Sequence, residues 1–199
     1  MTPQAFKHSW TDTAFPLVPL SASRLGRFNL LPATAAFLME AGLPSCAAGN
    51  LTFSNDTDDI FYGINKLTEQ WDFGEDRQQY DHYVVIGSCR DGDVIAINTG
   101  KNDEIEQLDP LDSFNAKFFN SSIHTLAGFL LIYTDFENSV LAEHGEEGKR
   151  NSYFTDIQFE LLKARMLEAD RRALTERGFW KEELEIILWC RQKYMDNLD

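Results

Sequence analysis

The chain has 199 residues, 43% of them apolar, with a formal net charge of -14 and a pI of about 4.6. That length gives most simply one domain, and the apolar content is enough for a core, which excludes a disordered acidic tail. The charge disfavours nucleic acid and anionic lipid as partners, since both would be repelled, and leaves solvated surface or a basic protein partner.

Met1 to Leu20 carries Trp10, Phe15, Pro16 and Pro19. It reads as an extended arm that docks aromatic residues on the body, because its prolines and polar residues argue against a regular element. Met1 to Pro19 also lacks the basic start and long apolar block of a signal peptide. Pro32 to Ala41 reads as a helix, with Pro32 in its first turn, Gly42 as its stop, and Phe37, Leu38 and Ala41 facing inward. Leu51-Thr52-Phe53 is a short strand and Asn55 to Asp59 an acidic loop. Ile60 to Trp71 is read as holding another strand, packed through Tyr62, Ile64 and Leu67. Asp72 to Asp81 is polar and reads as a loop or short turn.

Tyr83 to Phe136 organises the rest. Two β-branched runs, Tyr83-Val84-Val85-Ile86 and Val94-Ile95-Ala96-Ile97, flank Asp91-Gly92, a dipeptide suited to a hairpin turn. An acidic segment follows from Lys101 to Asp112. Phe119, Ile123, Leu126, Leu130 and Tyr133 recur at steps of three and four, so Ile123 to Tyr133 reads as an apolar helix capped by Asn120, Ser121 or Ser122. That helix must lie against the adjacent sheet. Its apolar run is far shorter than the roughly 20 residues a membrane span needs. Glu137 to Ser152, with Gly145 and Gly148, reads as a linker or exposed loop. Thr155 to Gln158 forms a capping box and starts a helix to about Arg177, stopped at Gly178. A last helix covers Trp180 to about Met195. These two form a C-terminal helical hairpin.

The search for chemistry finds little. Cys46, Cys89 and Cys190 are far apart and odd in number, which fits a reducing compartment, neither a disulfide framework nor a zinc site. A soluble, cytoplasmic protein is expected. Cys89 with His82 or His124 could form a nucleophilic pair, but a small apolar strand residue is the plainer reading. The regular oxygens of Asn55 to Asp59 lack the glycine and distant glutamate of an EF-hand. Asp91-Gly92-Asp93 suits a turn better than a metal, and Glu143 to Glu147 reads as a solvated loop. No phosphate loop and no nucleophile elbow occurs. No catalytic residue, metal or cofactor is assigned.

One feature exceeds what packing requires. From Asp56 to Asp112 the acids are Asp56, Asp58, Asp59, Glu69, Asp72, Glu75, Asp76, Asp81, Asp91, Asp93, Asp103, Glu104, Glu106, Asp109 and Asp112. The bases there are only Lys66, Arg77, Arg90 and Lys101. The negative field is expected to gather on the sheet region and to speed capture of a cationic partner. Asp56, Asp58, Asp59, Asp72, Glu75, Asp76, Asp91, Asp93, Asp103 and Glu104 are the candidate partner-binding residues.

Several short runs carry a resemblance. They are Leu38-Met39-Glu40-Ala41-Gly42-Leu43-Pro44, Val84-Val85-Ile86-Gly87, Asp93-Val94-Ile95-Ala96-Ile97 and Phe118-Phe119-Asn120-Ser121-Ser122-Ile123. Their order and spacing resemble the SUKH superfamily, and within it the fourth SUKH immunity-protein group. The likeness covers about residues 30–136, leaving an arm (1–29) and the helical hairpin (153–199) outside it in one domain. It implies an α+β fold with a central, mainly antiparallel sheet flanked by helices. It implies a non-catalytic binding protein, an immunity protein that neutralises a polymorphic toxin of nuclease or deaminase type by covering its basic active face. The alternative it carries is a scaffold or regulatory protein of the same fold with an endogenous partner, as in control of cell-wall synthesis.

Overall fold

A computed structural model gives the structure of the chain and describes residues 1–47, 49–90, 92–175 and 177–197. The N-terminal segment opens with a helix, and only its later part, with Pro16 and Pro19, is the non-helical arm that was expected. Helix α1 (Pro3–Ser9) begins on Pro3, whose missing N–H is no loss in a first turn, and Thr2 Oγ1 accepts from the Ala5 amide at 3.1 Å. It buries Phe6 against Phe37, with ring centroids 5.7 Å apart. Strand β1 (Leu17–Val18), helix α2 (Ala22–Leu25) and helix α3 (Pro32–Glu40) follow, and β1 pairs antiparallel with β2 (Leu43–Pro44). As expected, α3 starts on Pro32 and buries Phe37, Leu38 and Ala41. Gly42 ends it at φ +69°, and a Cβ there would lie 2.0 Å from the Val18 carbonyl oxygen, so only glycine fits.

The main sheet contains β3 (Cys46–Ala47), β4 (Leu51–Phe53), β5 (Asn65–Lys66), β6 (Tyr83–Ser88), β7 (Val94–Asn98), β8 (Glu104–Asp109) and β9 (Asn115–Asn120). Its seven strands run in the order β3-β4-β6-β7-β8-β9, with β5 also paired to β6, and all pairings are antiparallel. The expected β6–β7 hairpin is present. At its turn Asp91 lies outside the described residues, while Gly92 takes φ +81° and the Cys89 and Gly92 amides close the bend. One expectation fails nearby, the inward packing of Tyr62. The acidic Lys101–Asp112 segment contains a full strand, β8, whose Glu106 and Gln107 are buried. Residues 60–71 hold only the two residues of β5 and one helical turn, α4 (Leu67–Gln70). There Ile64 and Leu67 are buried but Tyr62 is 70% exposed. A second single turn, α5 (Arg77–Tyr80), precedes β6.

Both sheet faces are covered. Val84, Ile86, Ile95, Ile97 and Ile105 join the large core with helix α6 (Ile123–Arg150). Tyr83, Val85, Val94, Ala96 and Leu108 pack on the other face under Leu67, Trp71, Phe73, Tyr80 and Phe114. Phe119 belongs to β9, not to the helix. Ser122 caps α6, its Oγ accepting from the Thr125 amide at 3.2 Å.

Where glycines suggested a loop over Glu137–Ser152, α6 continues to Arg150, broken only at Gly145 (φ +68°). Gly148 is buried, and a Cβ on it would lie 2.3 Å from the His144 Cβ. Helix α7 (Asp156–Ala169) starts on the expected capping box but stops well short of Arg177. Its cap, Asp170, turns inward and accepts from the Ser121 amide at 2.6 Å and the Ser121 hydroxyl at 3.0 Å. The turn α8 (Arg172–Thr175) and helix α9 (Phe179–Asp196) complete the chain. Gly178 starts α9 where it was expected to stop the previous helix, lying so close to β9 that a Cβ would be 2.3 Å from the Phe118 carbonyl oxygen.

Candidate partner-binding surface

The expected acids divide into groups with different roles. Asp56 and Asp58 form the root of a loop between β4 and β5. Arg24 of α2 holds both, at 2.8 Å from Asp56 and 2.9 Å from Asp58, and Ser21 adds a hydroxyl to Asp56 at 3.0 Å. Partial burial opposes the charged form of Asp56, but the bonds from Arg24 and Ser21 outweigh it and hold the carboxyl below its ordinary range. Asp59 works within the loop. Its Oδ1 accepts from the Phe61 amide at 2.8 Å and the Tyr62 amide at 3.0 Å, and the Tyr62 and Phe61 amides lower its pKa. These carboxylates are bonded within the fold, Asp58 through one oxygen.

Asp103 is only 1% exposed, in a left-handed conformation, and its Oδ2 accepts from the Leu31 amide at 2.7 Å. It anchors the entry to α3 and is withdrawn from any partner, a correction to its place among surface acids. Asp93 is half-buried and accepts from Gln107 at 2.6 Å. Glu104 pairs with Arg172 at 2.6 Å. Outside the expected set, Glu69 pairs with Arg27 and Asp81 with Lys66. Glu106, 4% exposed, is held by Lys101 and Asn98 at 2.7 Å each and by Tyr83 at 2.9 Å. Burial opposes its charge, yet these three donors keep its pKa below the ordinary value. Asp91 lies outside the described residues.

Asp72, Glu75 and Asp76 are exposed and have no ion pair among the described residues. The fold brings them beside two acids outside the candidate set. Phe73 stacks on Tyr80 at 4.2 Å and meets Phe114 edge-on at 4.9 Å, and the Tyr80 hydroxyl donates to the Ser113 carbonyl at 3.2 Å. These contacts set the 72–76 segment next to the 109–113 turn. Among the described residues, Asp109 accepts from the Leu111 and Asp112 amides and Asp112 from the Asn115 carboxamide. Five carboxylates thus lie on the two segments that the aromatic cap joins over one sheet face.

Beside this cap lies a cleft of about 430 Å³ over β4, β6 and β7, with Phe61 and Tyr62 on its rim and Trp71 in its wall. Phe61 and Tyr62 are 69% and 70% exposed. Sequence periodicity missed this tip, assigning Tyr62 to the core. The available signal was an apolar triplet, Ile60-Phe61-Tyr62, between an acid run and Gly63. The Gly87 that follows Ile86 sits at a bulge in β6, where a Cβ would lie 2.1 Å from the Thr52 carbonyl oxygen.

The alternative nucleophile finds no support in the geometry. The hydrogen bonds described for the buried Cys89 thiol go to the Asp93 carbonyl and the Gln107 carboxamide. His124 Nδ1 bonds the Met1 carbonyl, and the His82 ring packs on Tyr83.

Fold and surface together define an α+β protein with a helix-backed antiparallel sheet whose other face carries an aromatic cap. The chain belongs to the SUKH-4 immunity protein family, whose model matches residues 13–186. The match extends the likeness read from the motifs into the N-terminal segment and into the first part of α9, as far as Ile186. Membership supports an immunity-protein role in general, and with it a protein toxin as partner. Neither the curated proteins nor the solved structures gave a match. No described helix is long and apolar enough to cross a membrane.

Proposed function

We propose that this protein neutralises a toxin of nuclease or nucleic-acid deaminase type by docking its acidic sheet face on the toxin's basic, substrate-binding surface, with no catalytic step of its own. The observation that carries the reading is the grouping of Asp72, Glu75, Asp76, Asp109 and Asp112 around the Phe73–Tyr80–Phe114 cap, without ion pairs among the described residues. A surface that grips nucleic acid must be cationic, and clustered unpaired carboxylates are the complement that steers such a surface into contact. By contrast, Asp56, Asp58 and Glu104 are already paired and add less to the external field.

The test is protection of cells that express the toxin domain encoded beside this protein's gene. The wild-type chain should protect. A variant with the five acids changed to Asn or Gln should fold normally and protect poorly. Full protection by that variant would remove the acidic-face reading. Absence of any toxin effect, with a stable endogenous complex instead, would favour the scaffold role.

A further inference from the structure

We propose that the cleft beside Ile60-Phe61-Tyr62 is the socket of the partner interface and receives an arginine side chain of the toxin. This rests on the reading of the partner as a basic protein, and adds the residue class and the place that receives it.

The tip is built to be rigid. The Asn65 carboxamide donates to the carbonyls of Asp59 at 3.1 Å, Ile60 at 3.2 Å and Gly63 at 3.1 Å. Gln70 donates to the Ile60 carbonyl at 2.7 Å, and the Asn55 amide to the Tyr62 carbonyl at 2.7 Å. Gly63 closes the loop so tightly that a Cβ would lie 2.2 Å from the Thr57 carbonyl oxygen. Two large aromatic side chains are therefore held out in solvent on a backbone that needs no further ordering, the arrangement that makes an aromatic anchor effective.

The chemistry of the cleft selects its occupant. Phe61, Tyr62 and Trp71 supply aromatic faces, and the Thr52 and Ser88 hydroxyls, 2.8 Å apart, lie on the sheet below. Asp72, which has no ion pair among the described residues, follows Trp71 in the chain, and no carboxylate of the described residues lines the cleft itself. Among the described residues, none lining the cleft is cationic. A guanidinium stacks on aromatic faces while its edge donates to hydroxyls, and it is more weakly hydrated than an ammonium. An aliphatic side chain would bury the hydroxyls without a partner beyond each other. A second copy of a chain carrying a net charge of -14 would meet repulsion.

The experiment is an NMR titration of the full chain with Ac-Gly-Gly-Arg-Gly-Gly-amide, with its citrulline counterpart as the neutral isostere. The arginine peptide should give saturable shifts at Phe61, Tyr62 and the Trp71 indole, and the citrulline peptide should bind about three- to fivefold more weakly. Phe61→Ala/Tyr62→Ala removes only exposed side chains, so it should keep a native amide spectrum and lose the cleft shifts. Shifts confined to residues 72–76 and 109–112 would overturn the socket while leaving the acidic-face reading intact. Equal binding of the two peptides, or no saturable shift, would also overturn it. Cell protection, measured separately, decides the toxin reading itself.

Discussion

Asn65 shows how much of the surface a single buried side chain can set. Its carboxamide serves three carbonyls of the 59–63 loop. Removing it takes the described donor from the buried Gly63 carbonyl and leaves Asp59 and Ile60 with the Gly63 amide and Gln70 alone, at about 1–3 kcal/mol. Asn65→Ala should lower the unfolding free energy by about that amount and speed amide exchange at residues 59–63 before the rest of the sheet. Titration follows the same local logic. Burial lowers the pKa of His82, and the donors around Glu106 lower its pKa in the folded state. Both contributions to stability are therefore present above the unfolded values and are lost as pH falls. Unfolding free energy should decline first below about pH 6.5 through His82 and again below about pH 4.3 through Glu106. Denaturant melts across that range check it. His82→Gln should remove the upper step and leave the lower one.

At the scale of elements, the Phe118-Phe119-Asn120-Ser121-Ser122 run is a joint. Asn120 Oδ1 accepts from the Trp180 indole at 2.9 Å, Ser121 bonds Asp170, and Ser122 caps α6. Three helices meet the sheet there. Trp180→Ala removes a fully buried ring and leaves Asn120 short of a donor, a loss of about 3–5 kcal/mol. Ser122→Ala should cost about 1 kcal/mol, both read by thermal or denaturant unfolding. The sequence made these elements legible to different degrees. The β6–β7 hairpin, α3, the α7 start and the apolar stretch of α6 follow from periodicity and caps. β8 stays hidden because Glu106 and Gln107 occupy buried positions through long-range partners. The α6 extension stays hidden because Gly148 answers to close packing on His144 and Tyr153, and Gly145 interrupts the helix at φ +68° without ending it. The pairing of Asp56 and Asp58 with Arg24 needs residues 32 and 34 positions away, so no local count of charge could separate structural acids from free ones.

Over the whole molecule, one sheet face is sealed by α6 and the C-terminal helices, while the other carries an aromatic cap, an open cleft and acids without ion pairs among the described residues. A net charge of -14 spread over such a surface acts mainly on the rate of encounter and on the exclusion of wrong partners. Complex formation should weaken as salt rises, because exposed charges more than about 8 Å apart are screened at physiological ionic strength. Reversal of Asp56 and Asp58 should instead disturb the 55–63 loop by freeing Arg24, so its effect should appear in loop exchange as well as in binding.

The most direct measurement is the association rate of the toxin with the variant lacking the five carboxylates that have no ion pair among the described residues, Asp72, Glu75, Asp76, Asp109 and Asp112, at low and high salt. The rate should fall by about tenfold or more at low salt, and its dependence on ionic strength should flatten, with the fold unchanged. An association rate and salt dependence equal to those of the wild-type chain would contradict the account.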